Sequence, residues 1–187
     1  MGRAGITGGQ FKGIPLAVPP AIRVTEAKVR QAIFNILGSA IEGARVLDGF
    51  AGSGALGLEA LSRGAAFAAF VDSSVEAVLA IRDNLSRLGQ ELPRDAWRIV
   101  QAEMTRGLAI LAESEPPFDV VLLDPPYASP DGKKALNTLG ECAILAAAGI
   151  VGIEHDRRTV MPSTIGPLRA GKRHRYGDTV LSLYRVA

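Results

Sequence analysis

The sequence predicts an α/β fold: a mostly parallel sheet with helices on both faces, closed at its C-terminal end by an antiparallel hairpin. Three observations carry this. From Val46 onward, short apolar runs alternate with stretches of helical periodicity. A glycine-rich turn, Gly49 to Gly54, joins the first of those runs to the helix behind it. The tail then changes character, with two strand-like runs separated by Gly177-Asp178. Alternation of this kind implies right-handed crossovers between parallel strands. A Gly-Asp pair between two strand-like runs signals a hairpin.

Taken in order, the first 22 residues hold glycines at 2, 5, 8, 9 and 13 and prolines at 15, 19 and 20. That predicts a basic extended or hairpin-like arm, residues 1–22, ahead of a single domain over 23–187. A helix follows near 26–37, capped by Thr25, with Val29, Ile33, Phe34, Ile36 and Leu37 on its apolar face. Arg23, Lys28 and Arg30 lie at or before its start and are expected near the surface. The alternating series then reads strand 46–50, helix 54–63 stopped by Gly64, strand 67–71, helix 74–88 and strand 97–101. It continues with helix 105–113, strand 119–123, helix 133–147 and strand 149–154. Lys172 to Tyr176 and Thr179 to Val186 form the hairpin.

Composition narrows the class. A chain of 187 residues, 48% of them hydrophobic, supports one domain with a substantial core. No run is apolar enough to span a membrane, the N-terminus lacks a signal-peptide core, and the cytoplasm is the expected location. The single cysteine, Cys142, excludes an internal disulfide and is expected to be buried in the helix at 135–147. The two histidines, His155 and His174, have no second ligand at metal spacing, so no metal is expected. Charge is uneven. Residues 1–41 carry five basic groups against one acidic, 42–156 nine against seventeen, and 157–187 seven against one. An acidic middle suits a cationic cofactor and basic ends suit a phosphate backbone. Either end alone reads as ordinary surface charge; it is both together, flanking a base-modifying motif, that point to nucleic acid.

The chemistry is concentrated in two segments. Asp124-Pro125-Pro126-Tyr127 ends the apolar run Phe118 to Leu123. Its prolines hold the chain extended, so Asp124 and the Pro125 carbonyl can accept hydrogen bonds from an exocyclic amine while Tyr127 stacks on the base. The bland reading of the same tetrapeptide is a strand ending in a proline turn. Upstream, Arg45 to Asp48 reads as a strand, Gly49 to Gly54 as a turn that lets the backbone approach a ligand, and 55–63 as a helix. Gly52, Gly54 and Gly57 also satisfy the dinucleotide pattern, with Asp72 where its ribose-binding acid belongs. A NAD or FAD site therefore competes. Against it, Asp48 precedes the glycines, where a carboxylate suits the ammonium of S-adenosylmethionine (SAM) and not a pyrophosphate.

In combination these segments resemble the RsmD-type methyltransferases, which methylate the N2 amine of a guanine in 16S ribosomal RNA. Arg23-Val24-Thr25 with Val29 to Leu37 resembles their N-terminal segment. Asp48 to Gly54 is similar to their SAM loop, Asp124 to Tyr127 to their catalytic loop, and Tyr176-Gly177-Asp178-Thr179 to their closing hairpin. Val24 departs from a usual proline, Gly49 from a common leucine, and Asp72 from a frequent glutamate. The resemblance covers essentially the whole chain and implies a Rossmann-like SAM-dependent methyltransferase fold. It implies Asp124, Pro125, Pro126 and Tyr127 as the catalytic set. Asp48, Phe50, Ala51, Gly52, Ser53, Gly54, Asp72, Ser73, Glu103 and Met104 would then meet the cofactor, Glu103 and Met104 on the adenine side. For Glu103 a solvated acid at a helix start is the alternative. Lys12, Arg23, Arg30, Lys172, Arg173 and Arg175 are candidate RNA contacts, as is the Arg157-Arg158 pair, and Glu154 either lines the site or pairs with Arg157. A monomer acting on 16S RNA or a small-subunit assembly particle is expected. The same catalytic tetrapeptide would also serve an N6-adenine or N4-cytosine DNA methyltransferase, or persist in a silent SAM- or nucleic-acid-binding module.

Overall fold

A computed structural model describes residues 4–20, 22, 25–126 and 129–187. Tyr127, Arg23 and Val24 lie outside the described residues. The elements in chain order are α1 (Ala27–Leu37), β1 (Arg45–Gly49), α2 (Ala55–Ser62), β2 (Phe67–Asp72), α3 (Val75–Arg87) and β3 (Trp97–Gln101). They continue as α4 (Met104–Ser114), β4 (Phe118–Leu123), α5 (Asp131–Glu141), β5 (Leu145–Asp156), β6 (Thr164–Ile165), β7 (Leu168–Tyr176) and β8 (Thr179–Val186). The strands form one sheet in the order β3-β2-β1-β4-β5-β8-β7-β6. β1 to β5 run parallel and β8, β7 and β6 are added antiparallel. The chain thus reverses its direction of growth between β3 and β4, and the crevice at the C-terminal ends of β1 and β4 is the topological switch point where open α/β sheets bind ligands.

The strands are apolar because they are covered on both faces. On one face Leu47, Val121 and Tyr184 pack with Leu108 and Leu111 of α4 and Leu136 and Leu139 of α5. On the other, Val46, Val120, Leu122 and Leu181 pack beneath Ile33 and Phe34 of α1. Further along that face, Phe70 packs with Leu58 and Leu61 of α2 and Ile81 and Leu85 of α3, joined by Ile6, Phe11 and Leu16 from the N-terminal segment. That segment makes an isolated antiparallel bridge, Gly5 to Pro15, and lies against the domain. Its Thr7 N–H and hydroxyl donate to Glu59, and the Ser62 hydroxyl accepts from Phe11 N–H.

Three expectations need correcting. Arg30 is 1% exposed, and its guanidinium donates to Glu59 at 3.2 Å, to the Thr25 carbonyl at 3.2 Å and to the Gly5 carbonyl. It faces inward because α1 turns it toward the buried Glu59, so it is neither a surface group nor an RNA contact. The helix expected at 133–147 ends at Glu141, with Cys142, half-buried, as its extended C-cap. Helix propensity in the alanine run at 146–148 is overridden because Leu145 pairs with Phe118 and Ile144 is buried, with its carbonyl accepting from Phe118 N–H. Thr25 does not cap α1, whose N-cap is Glu26 with no side-chain hydrogen bond.

Candidate functional site

A cavity of about 380 Å³ opens at the C-terminal ends of β1, β2 and β4, within the range of small-molecule sites. Asp48, Phe50, Ala51, Gly52, Ser53, Asp72, Ser73, Glu103 and Met104 all line it, together with Asp124, Pro125 and Pro126. Gly54 does not. It is the N-cap of α2 at φ +77° and sits behind the loop against Ile81 and Phe70. Its contribution is the turn itself, which a residue with a Cβ would strain.

The loop geometry follows from that turn and from a strained neighbour. Phe50 is the non-glycine residue at positive φ, +60°, among those described, a conformation that costs about 1–2 kcal/mol. It bends the chain sharply off β1 so that Ala51 to Ser53 edge the cavity. Gly57 allows α2 to lie close on the sheet, since a Cβ there would meet the Phe70 ring at 2.3 Å. That closeness delivers the Gly57 N–H to Asp48 Oδ2 at 2.8 Å. Asp48 is 1% exposed. Its burial pushes the carboxyl well above the ordinary carboxylate range, the Gly57 hydrogen bond opposes this, and the charges of Asp124 and Asp72 add to it. Such a group favours a cationic ligand, which would restore its charge.

Asp72 is fixed by two backbone donors, Gly52 N–H to Oδ2 at 2.8 Å and Ser74 N–H to Oδ1 at 2.9 Å. Asp124 receives the Thr25 hydroxyl on Oδ2 at 2.7 Å. Its own N–H reaches the Gly49 carbonyl at 3.3 Å, which carries the β4 ladder one residue past Leu123. Glu103 is the N-cap of α4, exposed and at the cavity wall, without a side-chain cap bond. Thr25, Ile22, Ser74, Ala77 and Ala102 also line the cavity and were not singled out as site residues. For Thr25 the signal was its place in the family-like N-terminal segment, which a helix-cap reading obscured.

The candidate phosphate contacts separate. Lys12, Lys172, Arg173 and Arg175 are exposed, whereas Arg30 is buried. Arg173 donates to the Met161 carbonyl at 3.4 Å and Arg175 to the Gly177 carbonyl at 2.9 Å. Arg157 pairs with Asp178 at 2.9 Å, not with Glu154, and Arg158 pairs with Asp156 at 3.0 Å. Glu154 lines a second cavity of about 40 Å³ beyond Pro125 and Pro126. Among the described residues there is no cluster that could hold a metal ion.

The family model described as Conserved hypothetical protein 95 matches residues 4–185. YlbH of Bacillus subtilis is 38% identical over 163 residues, 87% of each chain. Ribosomal RNA small subunit methyltransferase D of Escherichia coli is 32% identical over 186 residues, 98% of this chain and 90% of its own. The chain belongs to the RsmD-type methyltransferase family. The solved structure of yhhF from Escherichia coli superimposes with a TM-score of 0.84 at 31% identity, covering 99% of this chain and 98% of its own. The mixed sheet, parallel with antiparallel strands at its C-terminal side, is the Rossmann-like fold seen in that solved structure, and the 380 Å³ cavity lies where such a sheet takes its ligand.

Proposed function

We propose that the protein is a SAM-dependent methyltransferase that acts on the exocyclic N2 amine of a guanine in 16S ribosomal RNA. One observation carries this reading. The carboxylate of Asp124, oriented by the Thr25 hydroxyl, shares a single cavity with the buried Asp48 and the doubly bonded Asp72. The residues fit SAM: a buried acid for its ammonium, a second acid for ribose hydroxyls, and, among the described residues, no basic lining group to favour a pyrophosphate. When bound, SAM supplies a methyl group on a sulfonium centre.

The chain's own contribution is positioning. The guanine amine is a weak nucleophile because its lone pair is delocalised into the ring. Asp124 and the Pro125 carbonyl accept its two N–H groups, which turns the lone pair out of conjugation and toward the methyl. Tyr127 stacks on the base and holds it in line. Most of the acceleration is then orientation and preorganised electrostatics. The proton leaves after the nitrogen has become cationic, so Asp124 does not have to remove it first. The base must be splayed out of the RNA, at a cost of a few kcal/mol that is smallest in a loop. The protein acts as a monomer in the cytoplasm, on RNA alone or on a small-subunit assembly particle.

Transfer of tritiated methyl from SAM to small-subunit particles, protein-stripped 16S RNA and DNA, with nucleoside analysis, tests this. N2-methylguanosine in RNA or particles is the expected product. Label in DNA as N6-methyladenine would keep the loop chemistry and overturn the substrate.

A further inference from the structure

Four carboxylates stand at the C-terminal ends of neighbouring strands: Asp72 on β2, Asp48 on β1, Asp124 after β4 and Glu154 on β5. Phe70 is level with Asp48, Asp48 with Leu122, and Leu123 with Ile153. The alternation of side chains therefore puts all four on the face that α1 and α2 cover, with Asp124 and Glu154 each one residue beyond the paired Leu123 and Ile153 of strands about 4.8 Å apart. The proposed chemistry uses the first three, reading along the row: ribose hydroxyls, cofactor ammonium, acceptor amine. Glu154 is the next step beyond the amine. It is 4% exposed. It also lies close enough to Tyr176 that, after burial, its charge helps push that phenol above the ordinary range. His155, its neighbour, is fixed by Ser182 Oγ at 2.8 Å and the Asp156 carbonyl at 2.9 Å.

We propose that Glu154 accepts the N1–H of the target guanine and so decides which base is methylated. This rests on the guanine-N2 reading above. Beside its exocyclic amine, guanine carries a ring N–H donor. The amines of adenine and cytosine stand beside ring nitrogens that bear lone pairs. A carboxylate one strand over from Asp124 attracts the donor and repels the lone pairs, and burial strengthens both effects. The Asp-Pro-Pro loop alone serves any of the three amines; the residue on β5 separates them.

The test is 2-aminopurine, which presents the same amine beside an N1 acceptor. Once the methylated position is mapped, particles carrying guanine or 2-aminopurine there are compared. The wild-type protein should prefer guanine by about 10- to 100-fold in kcat/KM. Glu154→Gln, whose amide can donate to N1, should slow on guanine and narrow or invert that preference, with SAM binding unchanged. Equal use of both bases by the wild type overturns the proposal, and so does an unchanged ratio in a folded Glu154→Gln. The wild-type comparison needs no variant, so poor folding of Glu154→Gln leaves it decisive. Absence of N2-methylguanosine from the wild-type reaction would instead overturn the parent reading.

Discussion

At the scale of single residues, Asp48 carries the sharpest conflict between stability and function. Its pKa in the fold is raised, chiefly by burial, so the folded chain binds a proton that the unfolded chain has released. Stability therefore declines as pH rises from the ordinary carboxylate range through the folded pKa, and the penalty is full above it. Asp48→Asn should raise the melting temperature of the cofactor-free protein at neutral pH, and the gain should shrink as pH falls. The amide keeps an acceptor for Gly57 N–H. The same change should weaken SAM binding by about 2–5 kcal/mol, because the ligand's cation loses its buried partner; calorimetry of both variants checks the pair. At Asp124 the expected pattern is reversed. Asp124→Ala should lower kcat about 100- to 1000-fold and spare SAM binding. Thr25→Val should lower kcat in the same sense by removing the hydroxyl that orients Asp124, with Thr25→Ser restoring it. A kcat left intact in Asp124→Ala would sink the loop chemistry.

At the scale of elements, the N-terminal segment, α1 and α2 are tied by one buried acid. Glu59 is fully buried and bridges Arg30 at 3.2 Å and Arg63 at 2.8 Å while accepting twice from Thr7. Burial alone would raise its pKa, but the Thr7 and arginine donors outweigh it and hold the carboxyl below its ordinary value. Its stabilisation is thus complete above the ordinary glutamate range and is lost as pH falls through the depressed value. Arg30→Ala should cost about 1–3 kcal/mol in urea unfolding, since Glu59 keeps Arg63 and Thr7 while the Thr25 and Gly5 carbonyls lose their buried donor, and should leave the salt dependence of RNA binding unchanged. Asn84 makes a second tie, from α3 to Ala17 N–H, Ala17 carbonyl and Ser53 carbonyl. These ties also show where sequence reading stops. Periodicity reveals that a helix exists at 27–37 and which side is apolar, but Arg30 and Glu59 are 29 residues apart and neither marks the other. The strands, the glycine turn and the Asp-Pro-Pro segment were legible because each depends on local chemistry. The end of α5 was not, because Leu145 obeys a strand partner, Phe118, that propensity does not see.

At the scale of the whole molecule, the cofactor crevice is acidic and the antiparallel extension of the sheet is basic, and that division bears on how RNA is held. The side-by-side placement of Asp124 and Glu154 was invisible in one dimension, since it depends on strand order; the charge imbalance between segments was not. Residues 157–187 carry seven basic groups against one acidic. Arg157 and Arg158 are engaged with Asp178 and Asp156, and Arg173 donates to Met161. Lys172 and Arg175 are exposed on β7, near the outer edge of the sheet. If this edge tracks the RNA backbone, each phosphate it neutralises releases counterions, and log K against log salt steepens by about 0.7 per contact on a single strand. Replacing Lys172 and Arg175 with alanine should therefore make the slope shallower by about 0.7 for each contact removed. KM for RNA should rise with kcat kept, because neither side chain belongs to the cavity that holds Asp124. Both side chains are exposed on β7, and Arg175 gives up only its hydrogen bond to the Gly177 carbonyl, so the thermal midpoint should barely move. A slope identical to the wild type would make the hairpin a solvated face and shift the RNA contact to the side of Lys12 and Lys28, the exposed lysines of the N-terminal region.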